Sequence, residues 1–207
     1  MTNMMSLSKW IGLIAVLSAT LLLWIVSMEG SDQTEKLLFW ARYTARLSFV
    51  VFMLVFTASA LDYFVGNRAT QFVRQNRRNL GLSFAFAHSI HLVALCSFLW
   101  VSGEQRTADT LIIGTLVYLM IFAMALTSTD KAVAKMGPAN WKRLHRIGVH
   151  SIALVFLVIY LGKLAEGQPQ GSASDTTTFS LLVGLLVAGY LLRVVHWAKT
   201  RKTQTAG

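Results

Sequence analysis

Long apolar runs dominate this chain, in place of the alternation of a half-buried strand or the single stripe of a surface helix. They fall at Trp10–Met28, Leu47–Phe64, Leu80–Val101, Thr110–Thr127, Ile147–Gly162 and Phe179–Leu192. The run from Leu80 to Val101 contains no Asp, Glu, Lys or Arg. At about 1.5 Å rise per residue it crosses a hydrocarbon layer of roughly 30 Å. The pattern predicts an all-α membrane protein of six transmembrane helices, at about 10–28, 44–64, 80–101, 110–127, 144–163 and 177–197, in a single domain over 1–207. The last run is short, and the flanking Thr residues and Trp197 extend it to the interfaces. The first has an apolar stretch of about 18 residues, longer than the ~7–15 of a signal-peptide core, with no small-x-small site to end it. It reads as a retained helix.

The polar stretches between the runs are short. Segment 165–178, AEGQPQGSASDTTT, reads as a flexible loop. STDKAVAKMGPANWKR, from Ser128, reads as more structured: Asp130 caps a short amphipathic helix, Gly137-Pro138 ends it, and Trp141 sits at interfacial depth. There is no internal repeat, no glycine-rich dinucleotide fingerprint and no P-loop, and no segment is left over to fold as a flavin or nicotinamide domain. If the protein moves electrons, a partner delivers them.

Composition agrees: 55% of residues are hydrophobic and 14% charged. The net charge of +10 would point to nucleic acid or acidic lipid, but its distribution gives it another meaning. Lys9, then Arg68, Arg74, Arg77 and Arg78, then Lys131, Lys135, Lys142 and Arg143, then Lys199, Arg201 and Lys202 fall on one side of the predicted bundle. Glu29, Asp32, Glu35, Glu104, Asp109, Glu166 and Asp175 fall on the other. Short basic loops stay cytoplasmic, so both termini are expected in the cytoplasm, and nucleic acid is not an expected partner. Cys96 is alone in an apolar run, which excludes a disulfide framework and a Cys-x-x-Cys-His attachment.

Ionisable residues inside membrane spans are costly and mark function. His88 and His91 lie in the third span, His145 and His150 in the fifth, and His196 near the inner end of the sixth. His88 and His91, three apart, share one helix face. Counted from the basic anchors, His88 is ~15 Å deep, His91 ~20 Å and His150 ~10 Å, with His145 barely inside. A bis-histidine haem needs two imidazoles at similar depth on facing helices. His91 with His150 is the favoured axial pair, and His88 and His145 are the alternatives. Separations of three and five residues on each helix leave room for one haem, the unused histidines standing around it. The competing readings are hydrogen-bonding core histidines in a haem-free scaffold, and a metal or proton site in a small transporter. The metal reading is weakened by the lack of buried carboxylates near the histidines: Asp62, the one acid within a span, lies near the cytoplasmic end of the second.

RRNLGLSFAFAHSIHL, starting at Arg77, and ALTSTDKAVAKMGPANWKRLHRIGVH, starting at Ala125, resemble the ferric-reductase-like transmembrane superfamily. The nearest pattern is that of the haem-binding membrane subunit of the bacterial periplasmic methionine sulfoxide reductase system. The resemblance covers roughly residues 41 to 163. It rests on Arg77, Arg78, Leu80, Gly81 and Leu82 opening the third span, on His91 after them, on Ala125, Leu126, Thr127 and Ser128 closing the fourth, and on Trp141, Leu144 and His145 opening the fifth. It implies a six-helix haem b bundle of the bacterial inner membrane, carrying electrons from a cytoplasmic flavoprotein or quinol to a periplasmic acceptor such as a reductase partner. Any flavin or quinone belongs to the partner, because the fused flavin domain of ferric reductases and NADPH oxidases is missing here. The chain would be an oxidoreductase component rather than a self-sufficient enzyme. By resemblance the ligand positions are His91 and His145. The family's second fifth-span histidine falls near Val158, and the inner partner of His145 falls near Arg77; neither is a histidine here. Arg42 and Arg46 are candidates for pairing with haem propionates, with snorkelling to headgroups as the alternative.

Overall fold

A computed structural model describes residues 6–27, 32–165 and 173–205, with the side chains of 173–175 and 202–205 left aside. Glu29 and residues 166–172 of the expected loop, Glu166 among them, lie outside the described residues, and 173–178 begin a helix where a loop was expected. Eight helices follow in order: α1 (Leu7–Val26), α2 (Gln33–Val65), α3 (Arg68–Gln75), α4 (Arg77–Ser102), α5 (Ala108–Leu126), α6 (Asp130–Met136), α7 (Pro138–Ala165) and α8 (Ala173–Thr205). Six of them, α1, α2, α4, α5, α7 and α8, are long and apolar enough to cross a membrane. The six-span, all-helical expectation stands.

The helices are longer than the apolar runs. Asp32 accepts a hydrogen bond from the Glu35 amide at 2.6 Å, so α2 begins at Gln33, eleven residues ahead of its expected start at 44. A true N-cap, not loss of hydrophobicity, sets that boundary. The short helix α3 was not expected. Asn67 caps it through the Thr70 amide, and Asp62 of α2 holds it through Arg74 and Thr70. In α6 the expected helix is present, but its cap is Thr129, whose hydroxyl accepts from the Ala132 amide; Asp130 is the first helical residue instead. Gly137, at φ 84° and ψ 143°, breaks the path, and Pro138 opens α7 where its missing N–H costs nothing.

Contacts across the bundle fix which helix ends lie together. Trp10 of α1 meets Phe72 of α3, His196 of α8 meets Tyr63 of α2, Arg78 of α4 pairs with Asp130 of α6, and Trp141 Nε1 of α7 donates to the Thr127 carbonyl. One end therefore gathers the start of α1, the ends of α2, α5 and α8, and the starts of α4 and α7. It carries the basic residues named above. For the described residues, the sides assigned by charge are the two physical ends of the bundle.

α2 is the central helix and packs most extensively on α4, with α8 also against it. Its buried Phe49, Phe52 and Phe56 meet Phe84 of α4, Phe156 and Tyr160 of α7 and Tyr190 of α8. This aromatic core runs along the axis between the two helices that carry the paired histidines. The large apolar side chains left exposed lie on the membrane-spanning helices, as expected where lipid is the solvent.

Candidate functional site

Spacing alone puts His88 and His91 on one face of α4, and the structure turns that face onto α2. Their ring centroids are 5.2 Å apart. The Nδ1–H of His91 donates to the Ala41 carbonyl at 3.0 Å, since a carbonyl can only accept. His88 Nδ1 lies 2.9 Å from the Ser48 hydroxyl. That hydroxyl also lies 2.8 Å from the Ala45 carbonyl, and giving its single hydrogen there makes the His88 ring the donor here too. Both imidazoles then carry their proton on Nδ1 and a free lone pair on Nε2. A carbonyl or similar acceptor on the far nitrogen is how metal-binding histidines are held. His88 is 8% exposed and sits among Phe84, Tyr118 and Phe156, with the Tyr118 hydroxyl donating to its carbonyl at 3.3 Å.

The α7 histidines differ. His145 stacks 4.2 Å from Trp141, donates from Nδ1 to the Trp141 carbonyl at 3.2 Å, and has Nε2 3.4 Å from the Ser128 hydroxyl. It sits among the first turns of α7, near the basic end. His150 is exposed, with Nδ1 3.4 Å from the Tyr190 hydroxyl of α8 and its ring 6.2 Å from Phe56. His196 rests on Tyr63 and Phe64, apart from the other four.

Two rulers place these side chains along the axis. On α2, His91 is level with Ala41, His88 with Ser48, and His150 with Phe56, so His150 lies about 12 Å nearer the basic end than His88. On α7, His88 meets Phe156, six residues or about 9 Å beyond His150. The structure thus brings His88 and His91 together. It does not bring His91 and His150, the favoured axial pair, to one level, and of the cross-helix pairs His88 and His150 are offset least. Depth counted from Arg78 and Arg143 takes those two anchors as level, whereas Arg77 of α4 lies beside Ser59 of α2 and His150 of α7 beside Phe56. α7 docks its first turns against the end of α5, so its histidines ride lower.

The levels also place the two positions at which the expected pattern lacks a histidine, near Val158 and near Arg77. Positions near 158 of α7 face the level of His88 and His91, where α7 presents Phe156 and Tyr160. Arg77 opens α4 at the level of the α7 histidines. The level far from the basic end has imidazoles from α4, and the level near it has them from α7. Arg46 lies well inside α2, its guanidinium over the rings of Tyr43 and Phe179 rather than at an outer edge. Sequence reasoning passed over Ser48 and Ala41, which hold the α4 imidazoles, and Arg193, whose side chain turns onto α2. Among the described residues no group of three or more His, Cys, Asp or Glu gathers as a metal site.

The chain is similar to proteins described as haem-binding MsrQ subunits of protein-methionine-sulfoxide reductase. It is 38% identical over 95 residues to that of Caulobacter vibrioides, a match covering 42% of this chain and 40% of the relative. It is 26% identical over 138 residues to that of Polaromonas naphthalenivorans, covering 61% and 58%. It is also 32% identical over 101 residues to the magnetosome protein MamZ of Magnetospirillum gryphiswaldense, covering 45% of this chain and 15% of that protein. In each case the chain spans less than two thirds of the relative's length. No family model and no solved structure matches. The chain is a multi-pass membrane protein similar to haem-binding MsrQ subunits, with two oriented imidazoles inside the bundle, His88 buried and His91 half-buried.

Proposed function

We propose that this chain is a haem b electron carrier of the ferric-reductase-like type in the bacterial inner membrane, with its basic end and both termini in the cytoplasm. It relays electrons from a cytoplasmic flavoprotein or a quinol to a periplasmic acceptor, a reductase partner by analogy with the names of its relatives. The observation that carries the reading is the pair of α4 imidazoles, His88 buried and His91 half-buried, each held through Nδ1 to α2 with Nε2 left free. That donor set fits haem iron. His88 and His91 are the α4 candidates; His150 is the nearest in level on α7 and His145 the alternative, with one haem per chain.

Haem, when bound, supplies the one-electron chemistry. The chain's part is to hold the imidazoles in one tautomer and orientation and to keep water away. Ala41 and Ser48 do the first. Phe52, Phe84, Tyr118 and Phe156 do the second, by closing the space around His88.

One observation favours a second reading, a haem-free scaffold that keeps the fold: at the level of His88, α7 offers Phe156 and no histidine. A series of purified variants separates the two. His88→Ala, His91→Ala and His150→Ala are each expected to lower bound haem strongly, and His196→Ala to leave it unchanged. Full haem in both α4 variants removes the carrier reading. Full haem in His150→Ala alone moves the α7 role to His145. Cation or proton flux into vesicles by a haem-free protein would establish the transporter instead.

A further inference from the structure

At the basic end, between α2, α4 and α8, lies a cavity of about 240 Å³ lined by Ser59, Arg77, Arg193, His196, Trp197 and Thr200. No carboxylate lines it. The arginines that flank Arg77 are satisfied elsewhere, Arg74 by Asp62 and Arg78 by Asp130. Arg77 and Arg193 have no carboxylate partner among the described residues. Arg77 Nη1 donates to the Ser59 hydroxyl at 3.3 Å. Arg193 Nη1 donates to the Phe56 carbonyl at 2.6 Å and its guanidinium lies 4.5 Å from the Phe56 ring centre. Each guanidinium has five N–H groups, and these bonds use one apiece.

Preference for basic residues on the cytoplasmic side explains how many arginines lie at this end. It does not explain why two of them, from different helices, converge on one cavity, where like charges repel more than they would in water. An anion between them reverses the sign of that interaction. The planar guanidinium fork matches the oxygens of a phosphate, and the Ser59 hydroxyl, which accepts from Arg77, keeps its own hydrogen to donate. Ser59 is six residues from the end of α2, about 9 Å inside it, and Trp197 marks the interface beside it.

We infer that this cavity binds the phosphate group of a phosphoester, with Arg77 and Arg193 on either side and Ser59 as a hydroxyl donor. The inference does not depend on haem. The test is native mass spectrometry of the full chain taken from phosphatidylcholine vesicles carrying a minority of phosphatidylglycerol, with inorganic phosphate added in a parallel arm. One phosphatidylglycerol retained per wild-type chain, unaffected by inorganic phosphate, identifies a lipid headgroup. Displacement by millimolar inorganic phosphate identifies a soluble phosphate as the occupant, and the site stands in either case. Arg77→Gln and Arg193→Gln should each weaken retention about tenfold, the loss of a charge-assisted contact. Arg78→Gln, at the exposed pair with Asp130, should not. Thermal melts of all three variants in detergent distinguish loss of the site from loss of the fold, and Arg193→Lys should recover part of the retention. Equal retention in wild type and both glutamine variants overturns the inference. So does a variant that keeps its lipid and loses haem, because the arginines would then serve the haem carboxylates.

Discussion

A histidine in an apolar run is visible in any sequence; what holds its ring is not. His88, His91, His145 and His150 stood out because ionisable groups are costly in a membrane. The acceptors of His91 and His88 are the Ala41 carbonyl and the Ser48 hydroxyl, on a helix forty to fifty residues earlier, and no spacing rule within α4 gives the rotation of α2 against it. Ser48 therefore provides a direct test at this scale. Ser48→Ala deletes the acceptor and leaves a buried ring N–H unpaired, at a cost of about 1–3 kcal/mol. Haem affinity, titrated in detergent, should fall roughly 10–100-fold, the usual effect of losing such a supporting contact. An unchanged affinity would remove His88 as a ligand and leave His91 as the α4 contact.

The helices themselves were legible from hydropathy, and their ends were not, because caps rather than apolarity set them. The first turns of α7 lie beyond the start of α4, so that His150 sits near the level of Arg77 and out of step with His88. Two glycines fix this region. Gly137 has a conformation that favours glycine strongly, so Gly137→Ala should cost roughly 1–3 kcal/mol, read as a lower melting temperature in detergent. Gly148 lets α7 lie directly against Met120 and Met124 of α5. The methionine side chains can yield to one methyl group, but Gly148→Leu must push the helices apart. It should destabilise by about 1–3 kcal/mol and reduce haem occupancy in the same preparation. Full stability in Gly148→Leu would show that the α5–α7 contact is looser than described.

For the molecule as a whole, charge distribution in the sequence and helix packing in the structure agree on a single basic end. Charge predicts its side of the membrane. Alkaline phosphatase fused after Gly103, at the acidic end, should be active in the periplasm, and the same fusion at the C-terminus should be inactive. The reverse pattern would invert the route of electron flow. The six-span architecture was evident in the apolar runs, and the haem reading came from four histidines and a resemblance. The two pairs and their order in depth were evident too, but the size of the offset between them emerged only from packing. The central claim is that one iron porphyrin lies inside this bundle. Haem per chain in protein purified from haem-replete cells, with its dithionite-reduced spectrum, measures that directly. The account predicts a ratio near one with a Soret band and resolved reduced α and β bands. A colourless protein, or a ratio near two, would contradict it.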